Sequence, residues 1–281
     1  MDGSCMQISG YAAQCLNRAG DYRVLSRFDH VLNLTDGVNV LSIQDELLPM
    51  TPLSLVLKNA VFQAVVRELP DGALLRTGGG RLWAAGLTLD GAQDRQCLMY
   101  LDLGVLDALR PEAEHWLRMA AKMLTRSGSL LYAVWPGLAE WSGVELDGVQ
   151  LRALDLLHSG EVHALVGLGG GLTPAGDDFL VGLLAALRAG GDSVSLLALI
   201  EKLQERLQGT PMLSRAFLQR AMAGEFSEPV LTLLTALPQG SQKMITETVS
   251  RLCFIGHTSG CDLLGGLLYG FQAIKTKEGL F

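Results

Sequence analysis

Residues Gly167-Leu-Gly-Gly-Gly-Leu-Thr-Pro-Ala-Gly-Asp-Asp178 run directly into the apolar stretch Phe179-Leu-Val-Gly-Leu-Leu-Ala-Ala-Leu187. Three consecutive glycines, Gly169, Gly170 and Gly171, leave backbone N–H groups uncovered by side chains. Thr173-Pro174 reads as an N-cap followed by proline at the first helical position, so the spacing predicts a helix over Gly176–Ala189 onto whose N-terminus these amides converge. Such a terminus attracts anions. No Lys follows the glycines, which separates the segment from a Walker phosphate loop.

A second segment, Gly256-His-Thr-Ser-Gly-Cys-Asp262, precedes Leu263-Leu-Gly-Gly-Leu-Leu268. It aligns with the first when one residue is dropped between threonine and glycine. Gly171 then matches Gly256, Thr173 matches Thr258, Gly176 matches Gly260, Asp178 matches Asp262 and Gly182 matches Gly266. Two copies of one glycine-turn, threonine, aspartate, apolar-helix unit predict two helices whose N-termini face one pocket, with Gly182 and Gly266 permitting close helix contact.

The polar residues of these segments have local roles open to them as well as chemical ones. Asp262 lies three residues after Ser259 and could complete a capping box, and an acid at Asp178 is favoured by the helix dipole. The pair Asp177-Asp178 needs more explanation, because adjacent carboxylates repel a bound anion unless they serve another charge. Holding Mg²⁺ against a phosphate, accepting a proton, or bonding a substrate amide or ammonium are the three roles open to them. Neighbouring acids on a helix diverge by about 100°, so Mg²⁺ is compatible with the pair without being signalled by it, and no other cofactor is indicated. His257 in its glycine turn can donate to an oxyanion or carboxylate, or act as a cap. Thr210 and Ser214 could line the same pocket, although Thr210-Pro211 is also a plain helix start. Cys261 is a thiol near a helix N-terminus with no His or Asn partner pattern. The candidate catalytic residues are therefore Asp177, Asp178, His257 and Asp262. The candidate substrate-binding residues are Gly169, Gly170, Gly171, Thr173, Gly176, Gly256, Thr258, Ser259 and Gly260.

Outward from the motifs, the chain from Gly104 onward reads as helical. Arg110-Pro111-Glu112 is a helix start, followed by Trp116, Leu117, Ala120, Ala121 and Leu124 at helical spacing. Further helices are predicted over Val149–His158, Ser193–Leu207, Pro211–Ala223, Glu228–Leu237, Ser241–Cys253 and Gly260–Ile274, with Ser127–Ser142 open between strand and irregular linker. From Tyr22 to about Leu103 the pattern is instead short β-rich runs: Val24–Phe28, Val31–Leu34, Val38–Ile43, Leu53–Leu57, Leu82–Leu89 and Cys97–Leu103. Thr35-Asp36-Gly37 reads as a hairpin turn, Pro70-Asp71-Gly72 and Gly78-Gly79-Gly80 as breaks, and Val61–Leu69 as a helix. The fold class is α+β: a small antiparallel β-rich N-terminal part, residues 1–105, followed by a mostly α-helical domain, residues 106–281, that carries the two glycine-rich helix N-termini.

Composition narrows the partners. Lys and Arg number 22 against 29 Asp and Glu, a net charge of −7, and no basic cluster offers a footprint for nucleic acid or anionic lipid. Charged residues are only 18% and hydrophobic ones 49%, which suits a large core rather than disorder. Cys5, Cys15, Cys97, Cys253 and Cys261 show neither a disulfide framework nor C-x-x-C spacing. The start lacks the basic region of a secretory signal and no apolar run approaches the roughly 20 residues of a membrane span. A soluble cytoplasmic protein is expected.

The two glycine segments, about 80 residues apart, resemble those of the AllH family, which is associated with oxamate carbamoyltransferase. Ser26-Arg-Phe-Asp-His-Val-Leu-Asn-Leu34 and Thr51-Pro-Leu-Ser-Leu55 also look like the family's N-terminal part. The resemblance implies a subunit acting with two other proteins in anaerobic allantoin and purine breakdown, where oxalurate and phosphate give oxamate and carbamoyl phosphate. It implies a transferase subunit that binds a small anion: phosphate, carbamoyl phosphate, oxalurate or oxamate. Two alternatives are a non-catalytic scaffold or regulatory subunit, and a stand-alone Mg²⁺-dependent enzyme acting on a phosphate or nucleotide.

Overall fold

The computed structural model describes residues 2–4, 6–70, 72–84, 86–91, 96–106 and 109–276. Cys5, Asp71 of the Pro70-Asp71-Gly72 break and Ala85 within the expected Leu82–Leu89 strand lie outside the described residues. The chain divides into two compact units, Met1–Met99 and Tyr100–Phe281.

The first unit is built on strands β1 (Asp2–Ser4), β2 (Gln7–Ser9), β3 (Gly20–Arg27), β4 (Val31–Thr35), β5 (Val40–Asp45), β6 (Ser54–Leu57), β7 (Leu74–Gly78), β8 (Arg81–Ala84), β9 (Leu87–Asp90) and β10 (Gln96–Cys97). Among the described residues they form one sheet in the order β1-β9-β8-β7-β3-β4-β5-β6-β2-β10. The pairs along its middle, β8–β7–β3–β4–β5, are antiparallel, whereas β5–β6, β1–β9 and β2–β10 are parallel. The hairpin read at Thr35-Asp36-Gly37 joins β4 to β5. Asp36 Oδ1 accepts from the Val38 and Asn39 amides at 2.8 and 2.6 Å, and Gly37 takes φ +94°. Helices α1 (Gly10–Asn17) and α2 (Asn59–Glu68) place Ala12, Leu16, Phe62 and Val65 in a core shared with Ile8, Leu32, Leu34, Leu41, Ile43 and Leu55.

One buried carboxylate locks this unit. Asp45, at the end of β5, is fully buried and hydrogen-bonds His30 Nδ1 and Asn59 Nδ2, each at 2.7 Å, while its other oxygen accepts from the Leu47 amide at 3.0 Å. Burial alone would push this carboxyl up, but these donors outweigh it and hold it below the usual carboxylate range.

The second unit is helical: α3 (Pro111–Leu124), α4 (Leu131–Val134), α5 (Pro136–Ser142), α6 (Gly148–His158), α7 (Ala175–Ala189), α8 (Ser193–Arg206), α9 (Met212–Met222), α10 (Glu228–Ala236), α11 (Gln242–Cys253) and α12 (Ser259–Thr276). Most are amphipathic. On α3, for example, Pro111 opens the helix, Glu112 and Glu114 occupy its first turn, and Ala113, Leu117, Ala120 and Ala121 are buried. Helix α6 begins with a full capping box between Asp147 and Gln150. Helices α7 and α12 are buried along most of their circumference and form the centre of the helical core, which marks them as interior helices.

Four local readings are corrected. The expected strand Leu82–Leu89 is two strands, β8 and β9, paired antiparallel as a hairpin. Ser127–Ser142 is helical, holding α4 and α5. The expected strand Cys97–Leu103 shrinks to β10 plus one isolated bridge from Tyr100 to Glu225. Strands β1, β2 and β7 and helix α1 had no counterpart in the sequence reading. Three-residue strands carry too little periodicity to register, and α1 starts immediately at Ser9, whose hydroxyl accepts from the Ala12 amide.

Candidate functional site

The two glycine segments lead into helices that run parallel and in contact. A Cβ built on Gly182 would lie 2.0 Å from Leu263 O, and one on Gly266 only 1.9 Å from Phe179 O. Further along, Gly270 meets the Ala186 side chain and Gly190 meets Ile274. Contact partners advance in the same direction on both helices, so the two N-termini lie at the same end. There Thr173 Oγ1 and Ser259 Oγ are 3.2 Å apart, which joins the first glycine loop to the start of α12.

Each loop presents open donors. Gly169, Gly170, Gly171, Gly256 and His257 are exposed, Thr258 is half-buried, and among the described residues the amides of all six donate to no protein acceptor. Positive φ at Gly171 (+86°) and Gly256 (+58°) turns the backbone at matching points of the two copies.

The acids divide by direction, as neighbouring helical positions must. Asp177 points away from α12: it is buried, with Oδ1 accepting from the Gly167 amide at 2.9 Å and Oδ2 from the hydroxyls of Thr210 and Ser214, the latter at 2.6 Å. Its acceptor capacity is spent inside the protein, so it staples the first loop to the start of α9. This differs from the substrate-facing role expected of Asp177 and also assigns Thr210 and Ser214. Neither Thr173 nor Thr210 is an N-cap; Pro174 and Pro211 occupy those positions and both hydroxyls serve aspartates instead.

Asp178 points toward α12. Hydroxyls of Ser259 and Thr173 bond its carboxylate, yet its Oδ2 is covered and has no hydrogen-bond partner. Burial pushes this carboxyl well above the usual range, and the neighbouring charges of Asp262 and Asp177 push the same way. Asp262, its counterpart in the second copy, is fully buried. Its Oδ1 accepts from the Leu130 amide at 2.7 Å, with Ser129 and Thr258 hydroxyls in support, while Oδ2 is unpartnered. Burial raises it to about 6. Asp262 therefore reaches across to the segment before α4 instead of closing a capping box with Ser259, which is itself the first residue of α12.

The remaining candidates fall on either side of the boundary between loop and core. His257 is exposed and offers its ring to solvent. Gly176 and Gly260, expected at the substrate, are buried packing positions: a Cβ on them would lie 2.0 Å from Leu165 O and 1.8 Å from Leu252 O. Cys261 is fully buried and a free thiol; a hydrogen bond with the Cys253 thiol lowers the pKa of Cys261 and raises that of Cys253. Among the described residues, no group of three or more His, Cys, Asp and Glu side chains is placed to hold a metal ion.

The segment Arg126–Leu130 belongs to the site and was not legible in the sequence. Arg126 Nη1 donates to the carbonyls of Gly256 at 2.8 Å and His257 at 2.7 Å, and its guanidinium lies over the Phe254 ring at 5.6 Å. Ser129 and Leu130 supply donors to Asp262, and the Gln150 side chain holds the Ser129 carbonyl at 2.8 Å. These residues lie about 130 positions from the loop they support, and no local pattern marks them.

Fold and site together define a helical domain whose two central helices carry matched glycine loops at one end. A family model described as oxamate carbamoyltransferase subunit AllH matches residues 165–271, from the first loop through most of α12. The resemblance to that family holds over the stretch that carries both motifs. No solved structure matches the chain. No helix among the described residues is long and apolar enough to cross a membrane.

Proposed function

We propose that this protein is a cytoplasmic subunit of an oxamate carbamoyltransferase-type complex, acting with two partner proteins in anaerobic allantoin and purine catabolism. The reaction is oxalurate plus phosphate giving oxamate and carbamoyl phosphate. The observation that carries this reading is the pairing of two open glycine loops above Asp178 and Asp262, each of which keeps one unpartnered carboxyl oxygen. Phosphate and the oxalurate carboxylate are both anions, and loop amides at two parallel helix N-termini suit holding both. The ureido N–H groups need acceptors, which the unpartnered aspartate oxygens offer. In the transfer a phosphate oxygen bonds to the carbamoyl carbon, the C–N bond breaks, and the departing oxamate nitrogen takes a proton. A carboxyl such as Asp178, whose pKa burial pushes well above the usual range, is suited to supplying it. The loop amides would stabilise the tetrahedral oxyanion.

The test is turnover by the complex reconstituted with its partner subunits. Asp178→Asn and His257→Ala should each lower kcat by about 100-fold or more while the protein stays folded. Unchanged turnover with both would leave the subunit a scaffold. A thermal-shift titration of the chain alone with oxalurate, oxamate, carbamoyl phosphate and phosphate, with and without Mg²⁺, should show stabilisation approaching about 2.7 kcal/mol at 100 times Kd. Stabilisation that requires Mg²⁺ would assign the acids to metal binding instead.

A further inference from the structure

We infer that Arg126 is a direct ligand of the anion at the second glycine loop, and that it selects for a planar or tetrahedral oxyanion over a neutral amide. The inference deepens the proposed function and rests on it for the identity of the anion, but the geometry that carries it is independent of the reaction.

Arg126 spends only one of its nitrogens on the protein. Nη1 donates both of its hydrogens, to Gly256 O and His257 O. The guanidinium also lies over the Phe254 ring, 5.6 Å from its centroid. Nε–H and the Nη2–H beside it form the parallel edge by which arginine grips carboxylate or phosphate in bidentate fashion. Among the described residues neither nitrogen has a protein acceptor, and no carboxylate lies within ion-pair distance of Arg126. A cation anchored through two carbonyls, with its bidentate edge open and no counter-charge, is a preorganised anion ligand. Arg110 is anchored in the same way, with Nη2 on the carbonyls of Leu237 and Gly240 and its guanidinium over Trp116, but its Nε is covered by the protein, whereas that of Arg126 is not; Arg118 pairs with Glu114 and Arg81 with Asp90.

A second observation points to a ligand at the same loop. Asp262 is fully buried in the first turn of α12, and its Oδ2 lacks a donor although Oδ1 is satisfied by Leu130, four residues from Arg126. The loop thus carries an unused cationic fork and the open amides of Gly256, His257 and Thr258, with the unpartnered oxygen of Asp262 buried in the helix turn that follows. A small molecule with an oxyanion at one end and an N–H group at the other, as in an amide-linked carboxylate, matches that set of groups.

The experiment is calorimetric titration of the full-length chain with oxamate, with its neutral analogue oxamide and with inorganic phosphate, for the wild type, Arg126→Gln and Arg126→Lys. The wild type should bind oxamate more tightly than oxamide. Arg126→Gln should weaken oxamate and phosphate by about tenfold or more and erase the preference over oxamide. Arg126→Lys, which keeps the charge but lacks the fork, should recover only part of it. An undiminished oxamate preference in Arg126→Gln overturns the inference while leaving the proposed function standing. Equal weakening of oxamate and oxamide also overturns it, because Arg126 would then act only by shaping the loop. Binding of phosphate but not of oxamate, lost in Arg126→Gln, keeps the arginine site and removes the carbamoyltransferase reading. No binding of any of the three by the wild type defeats both.

Discussion

Gly182 and Gly266 stand in reciprocal contact: each lies against the backbone of the other's helix, at a carbonyl three residues before its counterpart, Leu263 for Gly182 and Phe179 for Gly266. The two copies of the motif therefore meet as equivalents. The side-by-side placement of the loops at one end follows from this contact, because parallel helices in backbone contact keep their N-termini together.

Alanine at either position forces the helices apart, since the new methyl would sit about 2 Å from a main-chain oxygen that cannot rotate away. Gly182→Ala and Gly266→Ala should each cost about 3 kcal/mol or more in urea denaturation. Wild-type stability in either variant would mean the helices separate freely, and the paired-loop geometry would not hold.

Asp177 is expected to be a stability residue. Asp177→Ala leaves the Gly167 amide and the Thr210 and Ser214 hydroxyls without their acceptor and should cost about 2–4 kcal/mol. Limited proteolysis should then cut first in the 167–173 loop, which Asp177 ties down. A variant that keeps full stability but loses turnover would return Asp177 to the reacting atoms.

The pH dependence of stability carries a signature of Asp262. Its folded-state pKa is raised from 3.8 to about 6, so between these values the folded protein keeps a proton that the unfolded chain has lost. Stability from this group is present in full below about pH 4, falls as pH rises toward 6 and is level above that. The change is about 3 kcal/mol if the full shift is expressed. Asp262→Asn should remove that slope and be at least as stable as the wild type at pH 7. Parallel curves for the two proteins from pH 4 to 7 would contradict the assignment.

In the first unit the sign is opposite. Asp45 is held below its ordinary value by His30, Asn59 and the Leu47 amide, so its contribution exists above about pH 4 and is lost on acidification. Asp45→Ala should destabilise the protein by about 2–4 kcal/mol at pH 7 and by much less near pH 3, read from denaturation midpoints.

Much of the architecture was legible before any coordinates. The helix start at Pro111, the hairpin at Thr35-Asp36-Gly37 and the burial of Phe179 to Leu187 follow from short-range chemistry: a fixed proline φ, an aspartate that reaches its own neighbouring amides, and apolar spacing. The internal repeat went further. Matching Gly182 with Gly266 in sequence anticipated a helix contact between residues 84 positions apart, because glycine at equivalent helical positions is what a close backbone approach requires.

Direction and partnership were decided by the tertiary structure. Sequence places Asp177 and Asp178 side by side, but only the packing of α9 and α12 on different flanks of α7 makes one a satisfied staple and the other a carboxyl with a free oxygen. Sequence likewise gives Thr173 and Thr210 the form of helix caps, while folding turns their hydroxyls toward aspartates. Arg126 shows the limit most clearly: its backbone anchors are about 130 residues away, and nothing in its own neighbours distinguishes it from a surface arginine. Periodicity, turns and repeat symmetry are fixed by forces acting within a few residues. The state of a buried carboxyl and the open edge of an arginine depend on which distant groups the fold brings within 3 Å, and only the assembled core sets that.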